Sequence, residues 1–394
     1  MTHADGIPSH DELVSRARAL APALKARAAQ AAIDRRIPAE TIADFKEAGF
    51  FRMLQPRRWG GFEVHPNTYF DVQMTLAAAC PSSAWVLGVV GVHNWQLALF
   101  DARAQEEVWG ADTPVLISSL YMPVGKVRRV EGGYMFSGTW GFSSGSDYCD
   151  WAFLGGFVPT DDGPPDMRTF LVPKRDYTLL DDWHVLGLKG TGSRSVHIEE
   201  CFVPEHRTHR FGDGFRQSSP GHEQNSAPLY RLPFGQIFVR SVSTSAIGIA
   251  QGALDAFLDV QSKRVARGDG ARVAGDPTPQ MAAARAAHAL DQIRLVLGRN
   301  FEELMGYCER GERIPVDRRV FFRFSSSEAV EQCVRVVDDL FTASGGSAVF
   351  LDNPIHRYFC DIHTARAHYA NNPDKPGRNL GATMLGERNA DYFI

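Results

Sequence analysis

The run GTWGFSSGSDYCDW, residues 138–151, combines large aromatic and hydroxyl side chains at high density. Trp140 and Phe142 lie beside Ser143 and Ser144. Taken singly, such aromatic residues are most often core residues, and such serines are most often turn residues. Together, two rings suit the faces of a flat ligand, and hydroxyls suit its polar edge, which needs partners when buried. The run therefore favours a binding site for a flat, partly polar molecule.

Two other segments contain side chains that can exchange protons. His93 lies in the apolar run SSAWVLGVVGVHNWQLALF, and the later run DIHTARAHYANN contains His363, Arg366, His368 and Asn371. A neutral imidazole takes up or releases a proton near neutral pH, although a single buried histidine is as often structural. His363 and His368 are five residues apart and fall on different helix faces, which argues against a metal pair. We therefore predict acid–base chemistry without a metal.

Composition excludes several classes of protein. Hydrophobic residues make up 44% and charged residues 22% of the chain, and the net charge is −4. These values are typical of soluble globular proteins and give no reason to expect nucleic acid or an anionic membrane as partner. No apolar run has a membrane-spanning length, and the N-terminus lacks an apolar signal core. Six isolated cysteines without a CxxC motif indicate buried thiols in a reducing cytoplasm.

Three kinds of structure must position these residues. Helical periodicity dominates residues 1–113, whereas short β-type runs separated by Gly, Pro and Asp fill residues 114–210. Residues 211–232 are expected to form a loop or lid, and residues 233–394 contain four long amphipathic stripes. We therefore predict an α+β fold with an N-terminal helical domain, a middle β-barrel or sandwich, and a C-terminal four-helix bundle.

This order of domains resembles the acyl-CoA dehydrogenase fold over nearly the whole chain. The run at 138–151 and the motifs GLKGTGSRSVHIEECFVP, IGIAQGALDAFLDVQSKR and ASGGSAVF resemble four signatures of that family. The resemblance implies a flavin whose ring contacts Trp140, Phe142, Ser143 and Ser144. It also implies a homotetramer in which one turn reaches the flavin of a neighbouring subunit. The implied phosphate-binding residues are Arg264, Ser344, Gly345 and Gly346.

The helix around His93, together with the motifs NSAPLYRLPFG and ARAHYANN, is similar to one subgroup of this fold. That subgroup is the oxygenase component of two-component flavin-dependent phenol monooxygenases, which includes para-hydroxyphenylacetate and 3-hydroxy-seco-steroid hydroxylases. The resemblance implies that a separate NAD(P)H:flavin reductase supplies reduced FMN (FMNH2), or alternatively FADH2. Reaction with O2 then gives a C4a-hydroperoxyflavin that hydroxylates a phenol ortho to its hydroxyl group.

The same resemblance implies roles for four catalytic residues. His93 and Ser119 would meet the phenol oxygen of the substrate, Ser144 the N5 edge of the flavin, and His368 the peroxide. Because a phenol has an unperturbed pKa of about 10, an imidazole that favours the phenolate makes the ortho carbon more electron-rich. The peroxide also needs a pocket from which water is excluded.

Three other functions stay open. A second two-component monooxygenase would oxidise sulfur or nitrogen in a heterocycle. A true acyl-CoA dehydrogenase is disfavoured, because the run DIHTARAHYANN has no glutamate to act as the base. A non-catalytic helical protein that has lost its flavin is disfavoured by the phosphate-binding motifs.

Two arginines, Arg240 and Arg366, are further candidates for substrate contacts. Arg240 lies among apolar neighbours in FGQIFVRSVSTSAIG. A guanidinium binds a carboxylate through two parallel hydrogen bonds, which would indicate a phenolic acid as substrate. The slightly favoured interpretation is an exposed Arg240 whose head reaches water. That alternative leaves an apolar pocket for a larger phenol, such as a ring-opened steroid.

Overall fold

The computed structural model describes residues 6–111, 115–161, 163–265, 270 and 272–394. In the first of these ranges the chain forms five α-helices: α1 His10–Asp34, α2 Ala39–Glu47, α3 Pro66–Ala79, α4 Pro81–Leu97 and α5 Ala102–Trp109. Ser9 caps α1 through a capping box with Glu12. Pro66 and Pro81 begin α3 and α4, where a missing backbone N–H costs no hydrogen bond. The predicted domain boundary at 113/114 lies outside the described residues.

A seven-stranded mixed sheet follows: β1 Ile117–Val130, β2 Gly133–Ser143, β3 Trp151–Val158, β4 Asp166–Pro173, β5 Thr178–Leu180, β6 Arg194–Pro204 and β7 Thr208–Arg210. The strand order is β5-β6-β2-β1-β3-β4-β7. Strands β1 and β2 form a hairpin whose turn contains Gly132 at φ 75°. Strands β1 and β3 run parallel, and the other pairs are antiparallel. The predicted barrel or sandwich is not confirmed, because the sheet is open with β5 and β7 at its edges.

The C-terminal part is helical: α6 Phe211–Arg216, α7 Phe234–Lys263, α8 Pro277–Glu309, α9 Val316–Ala343, α10 Pro354–Arg366 and α11 Asp374–Met384. Helix α7 packs on α8, α9 and α10, and it also packs on α3 and α4 of the first part. The predicted four-helix bundle is therefore not confirmed as a separate unit, because α7 joins both helical layers. Contrary to the expectation that no apolar run has a membrane-spanning length, α7 is long and apolar enough to cross a membrane by composition, but 94% of its most apolar window is buried inside the protein.

The described residues form two hydrophobic cores. The larger core joins the N-terminal helices to α7–α10, and the smaller core fills the sheet around Phe136, Trp140 and Phe170. The six cysteines are all buried free thiols. Residues 211–232, expected to be a loop or lid, contain α6 and two 3-10 turns. Asn225 anchors this segment by donating from Nδ2 to the carbonyl of Ala98 at 2.8 Å.

Candidate active site

Helix α4 forms one wall of the candidate site. Every residue from Pro81 to Leu97 is buried, because α3, α7 and β1 pack around this helix. A polar side chain on such a helix costs free energy unless it finds a partner. The side chains of Trp85, His93 and Gln96 meet groups on the sheet side. Helix α4 therefore presents these three polar side chains toward the sheet.

His93 is held as a neutral imidazole with one free nitrogen. Its Nδ1 lies 2.5 Å from the carbonyl oxygen of Ile117, so Nδ1 must be the protonated nitrogen that donates. Nε2 is buried and has no hydrogen-bond partner among the described residues. Burial lowers the pKa of His93 to about 4, although the bond to Ile117 opposes this shift. At neutral pH, Nε2 thus presents an unshared lone pair to its surroundings.

Strand β1 carries two hydroxyl side chains on the side of the sheet that faces His93. Ser119 and Tyr121 are two residues apart and so point to the same face of the strand. The Tyr121 hydroxyl donates to Oε1 of Gln96 on α4. Burial raises the pKa of Tyr121 well above its ordinary value, and hydrogen bonding to Ser119 and Gln96 opposes this shift only in part, so Tyr121 stays a neutral phenol. The Tyr121 ring meets that of His93 edge-on at 6.2 Å, and Phe153 meets His93 at 5.6 Å. The half-buried Ser119 therefore lies on the same strand face as Tyr121, whose ring adjoins His93.

Ser144 belongs to a directed chain of hydrogen bonds. Thr191 Oγ1 donates to the carbonyl of Leu188 at 2.9 Å, so it accepts from Ser193 Oγ at 2.7 Å. Ser193 has then used its proton, and it accepts from Ser144 Oγ at 2.7 Å. Trp85 Nε1 in turn donates to Ser144 Oγ at 3.1 Å. Because its proton is engaged, Ser144 offers a further ligand only a lone pair.

His368 presents a hydrogen-bond donor, whereas His93 presents an acceptor. Its Nδ1 accepts from the backbone N–H of Ala370 at 3.1 Å, so the ring proton lies on Nε2. Removal of the imidazole from water and the nearby positive charge of Arg323 lower its pKa to about 4. The ring packs against Trp85 at 5.7 Å and Phe238 at 6.3 Å. His368 is therefore a neutral hydrogen-bond donor adjoining the tryptophan that binds Ser144.

Aromatic rings connect the two histidines. Tyr121, which adjoins His93, meets Phe234 and Phe238 at 5.0 Å each. Phe238 adjoins His368, and Phe393 packs on both Phe234 and Phe238 at 5.9 and 6.3 Å. These rings form a largely apolar enclosure between the two histidines. Such a lining excludes water and stacks on an aromatic ligand.

The two rings of the run at 138–151 lie in different environments. Trp140 is fully buried in the sheet core, donates from Nε1 to the carbonyl of Gly155 at 3.0 Å, and packs on Phe136. It has no free face for a flavin, which corrects the expectation for this residue. Phe142, at φ 67°, is 68% exposed. Ser143 is buried, and its Oγ has no partner among the described residues.

The expected phosphate-binding residues meet at the ends of two helices. Arg264 follows α7 and donates from Nη1 to the carbonyl of Ser344, which follows α9, at 2.7 Å. Gly345 has φ 64°, a value that favours glycine, and a Cβ on Gly346 would meet no atom within 4 Å. The structure thus brings these four residues together within one chain, beside open space.

The two candidate arginines lie outside this enclosure. Arg366 is exposed and donates from Nε to Glu331 at 2.6 Å. Arg240 is only 2% exposed, so the interpretation that its head reaches water is wrong. It is two residues from Phe238 on α7, which turns its side chain to the opposite face of the helix. There it lies over the ring of Phe70 at 4.7 Å, away from His93 and His368.

Comparison with known proteins identifies the family. The models named "Acyl-CoA dehydrogenase, N-terminal domain" and "Acyl-CoA dehydrogenase, C-terminal domain" match residues 8–112 and 241–373. The chain belongs to the acyl-CoA dehydrogenase family. Its similarity is to flavin-dependent oxygenase components within that family.

Two relatives and one solved structure carry this assignment. The flavin-dependent monooxygenase oxygenase subunit HsaA of Rhodococcus jostii (strain RHA1) is 40% identical, over 97% of this chain and 100% of its own length. The oxygenase component of the FADH(2)-dependent resorcinol hydroxylase of Rhizobium sp. (strain MTP-10005) is 32% identical, over 96% and 95%. The crystal structure of 3-HSA hydroxylase from Rhodococcus sp. RHA1 matches with a TM-score of 0.94 and 39% identity, covering 98% of this chain and 100% of that one.

The carboxylate of Asp361 on α10 has a structural role. Asp361 on α10 is buried, and its Oδ1 accepts from the backbone N–H of Leu188 at 2.6 Å. Burial raises its pKa to about 6. This bond fixes the turn that leads into Thr191 and Ser193. Asp361 therefore supports the hydroxyl chain rather than facing the enclosure.

Sequence reasoning missed several residues of the site. Trp85, Tyr121 and Gln96 bind or contact the expected residues, and Thr191 and Ser193 orient Ser144. One signal was available for α4, because Trp85, His93 and Gln96 are polar-tipped residues in a largely apolar helix. No local signal points to Ser193, since its contact with Ser144 joins segments 49 residues apart.

Proposed function

We propose that this chain is the oxygenase component of a two-component flavin-dependent monooxygenase that hydroxylates a phenol ortho to its hydroxyl group. The observation that carries the proposal is the buried, unpartnered Nε2 of neutral His93 within an aromatic enclosure. A lone pair in that position suits acceptance of a phenol proton. Family membership and the relatives named as monooxygenase and hydroxylase components support the same reaction.

His93 is proposed to bind the phenol through Nε2, with Ser119 as a second partner for the phenol oxygen. A hydrogen bond to Nε2 shifts negative charge toward that oxygen, and hence toward the ortho carbon. Phe153, Tyr121 and Phe238 enclose the ring and exclude water. In this dry setting the electrostatic effect of one hydrogen bond is larger than it would be in water.

The residues present fit a reduced flavin. Such a flavin, supplied by a separate NAD(P)H:flavin reductase, provides the activation of O2. Ser144, whose proton is engaged, has a lone pair for the N5–H of the reduced ring, and Ser143 Oγ is a second free polar group. His368 Nε2–H is a donor for an oxygen atom near that ring. Arg264 with the Gly345–Gly346 turn suits a phosphate.

Two finer points belong to the proposal. We favour reduced FMN as the flavin, with FADH2 as the alternative that the resorcinol hydroxylase relative supports by its name. We favour a neutral, extended phenol over a phenolic acid, because both Arg240 and Arg366 lie outside the enclosure. A homotetrameric, cytoplasmic enzyme completes the proposal.

The test compares a phenol with its methyl ether. The purified chain is mixed with a flavin reductase, NADH, flavin, O2 and either compound, and products are identified by mass spectrometry. We expect a catechol from the phenol and no product from the ether, because the ether has no proton for His93. Equal oxidation of both compounds, or oxidation only of a thioether or an indole, would favour the S- or N-oxidising alternative. Turnover of an acyl-CoA would favour a dehydrogenase.

A further inference from the structure

The turn that follows α10 holds the imidazole of His368. Residues Tyr369–Asn371 form a 3-10 turn, and His368 caps its start by accepting from the N–H of Ala370 at Nδ1, at 3.1 Å. The hydrogen bond at one ring nitrogen decides where the proton of a neutral imidazole lies. The position of this turn therefore decides whether Nε2 of His368 carries the proton.

Two buried side chains fasten the turn to neighbouring helices. Ser327 on α9 donates from Oγ to the carbonyl of Ala370 at 3.0 Å. Asn371 donates from Nδ2 to the carbonyl of Ala365 on α10 at 2.8 Å. Ser327 and Asn371 are both fully buried, so water does not compete for these bonds. Ala370 is thus bonded at both backbone groups, to His368 through its N–H and to Ser327 through its carbonyl.

The hydroxyl proton of Ser327 has two possible acceptors. Its Oγ lies 3.4 Å from the carbonyl of Arg323, one helical turn earlier, and 3.0 Å from the carbonyl of Ala370. A serine inside a helix commonly donates to the carbonyl four residues before it. Here the shorter distance favours Ala370. Ser327 therefore uses its one proton to join α9 to the turn.

A buried arginine fixes the oxygen of Ser327. Nη1 of Arg323 donates to Ser327 Oγ, and a charged donor makes a stronger hydrogen bond than a neutral one. Arg323 is only 2% exposed, and its Nε has no hydrogen-bond partner among the described residues. Burial lowers the pKa of Arg323 to about 10, although Asp391 and Tyr369 oppose this shift. The guanidinium is therefore still charged at neutral pH.

Helix α7 contains the same pair of residue types in a different arrangement. Nη1 of Arg240 donates to Oγ1 of Thr244, which lies four residues later. Thr244 Oγ1 then donates back to the carbonyl of Arg240 at 2.6 Å. That pair is complete within its own helix. The pair on α9 differs because its hydroxyl proton reaches Ala370 in another segment.

We propose that Arg323 and Ser327 are positioning residues for His368. They hold its imidazole as an Nε2–H donor through the backbone of Ala370. The charge of Arg323 adds to this effect, because a nearby positive charge disfavours a second proton on His368. The inference rests on the proposed function for the use of that donor toward an oxygen atom near the flavin, whereas the location of the proton is a property of the chain alone.

Nitrogen-15 solid-state NMR of the full chain, labelled at histidine and without flavin, tests where this proton lies. A ring nitrogen changes its chemical shift when it carries a proton, and His368→Asn identifies the signals of His368. We expect a single form with the proton on Nε2 in the wild-type protein. In Ser327→Ala we expect the share of the Nδ1–H form to rise by roughly fivefold, the effect of one lost neutral hydrogen bond. An unchanged single form in Ser327→Ala would overturn the proposal.

Three further variants sharpen the test. Ser327→Thr keeps a hydroxyl and should restore the wild-type spectrum. Ser327→Cys keeps the volume but is a weak donor, so it should show the mixture even if Ser327→Ala does not fold. Thr244→Ala removes the buried hydroxyl of the other pair and should leave the His368 signals unchanged; the same mixture in this variant would overturn the proposal.

A kinetic measurement links the proton to the reaction. In stopped-flow mixing of the reduced flavin complex with O2, we expect Ser327→Ala to react more slowly by about the same factor, with an unchanged KM for the phenol. A chain that shows the expected spectra but hydroxylates no phenol would support the positioning of His368 and contradict the proposed function.

Discussion

His93 and His368 are both neutral imidazoles, yet they present opposite hydrogen-bonding groups to the enclosure between them. In His93 the backbone carbonyl of Ile117 holds the proton on Nδ1, so Nε2 accepts. In His368 the backbone N–H of Ala370 occupies Nδ1, so Nε2–H donates. One histidine thus suits an acidic substrate hydroxyl, and the other suits an oxygen acceptor. Backbone contacts alone set this difference, since both rings have a pKa of about 4.

The chain of hydrogen-bonded hydroxyls formed by Thr191, Ser193 and Ser144 predicts that Ser193 acts through Ser144. Ser144→Ala removes the lone pair proposed for the flavin edge, and Ser193→Ala removes the acceptor that orients it. A neutral hydrogen bond contributes about 1 kcal/mol, or roughly fivefold in a rate constant. We expect H2O2 release per O2 consumed to rise by about that factor in Ser144→Ala, and by less in Ser193→Ala. Ser325→Ala, an exposed serine on α9, is the matched control and should behave as wild type.

Buried Asp361 predicts a specific dependence of stability on pH. Its pKa is raised from 3.8 to about 6, so between these values the folded state binds more protons than the unfolded state. The contribution of Asp361 to the free energy of unfolding therefore falls as pH rises through this window, by about 3 kcal/mol. Asp361→Asn keeps an acceptor for Leu188 but cannot ionise. We expect the variant to gain stability relative to wild type between pH 4 and pH 7.

Urea unfolding at several pH values tests this expectation. The quantity compared is the change in the free energy of unfolding with pH, because the amide of the variant also alters the absolute stability. Asp291→Asn, at an exposed position on α8, serves as control. A constant difference between Asp361→Asn and wild type from pH 4 to pH 7 would contradict the account of Asp361.

Local pattern was enough to predict the elements that carry the site, but not the directions of several side chains. The apolar run around His93 indicated a buried segment, which the structure shows to be α4. Trp140 was misjudged because a strand residue can face either a ligand or the sheet core, and only the packing of Phe136 decides between them. The expectation that Arg240 is exposed was wrong, because every face of α7 near it is covered by another element. Whether the sheet closes into a barrel depends on pairing between strands that are far apart in the sequence, which local pattern does not reveal.

The exposed apolar side chains near the C-terminal end predict self-association. Leu351, Met384 and Leu385 are 86%, 78% and 88% exposed, which is costly for side chains of this size in water. We expect a homotetramer by multi-angle light scattering at micromolar concentration. Leu385→Asp should weaken the assembly if this surface is buried in it, whereas Asp374→Asn on the same helix should not. A stable monomer in the wild-type protein would contradict the tetramer.

The coupling of O2 use to hydroxylation in a His93 variant tests the central claim most directly. His93→Asn keeps an N–H for the Ile117 carbonyl but removes the Nε2 lone pair. Because a positioned general base contributes on the order of a hundredfold or more, we expect O2 consumption to continue while catechol formation falls by about that factor and H2O2 replaces the product. His209→Asn alters another buried imidazole, whose Nε2 is already bonded to Ser219 at 2.9 Å, and should stay coupled. Wild-type coupling in His93→Asn would contradict the proposed role of His93 and the function that rests on it.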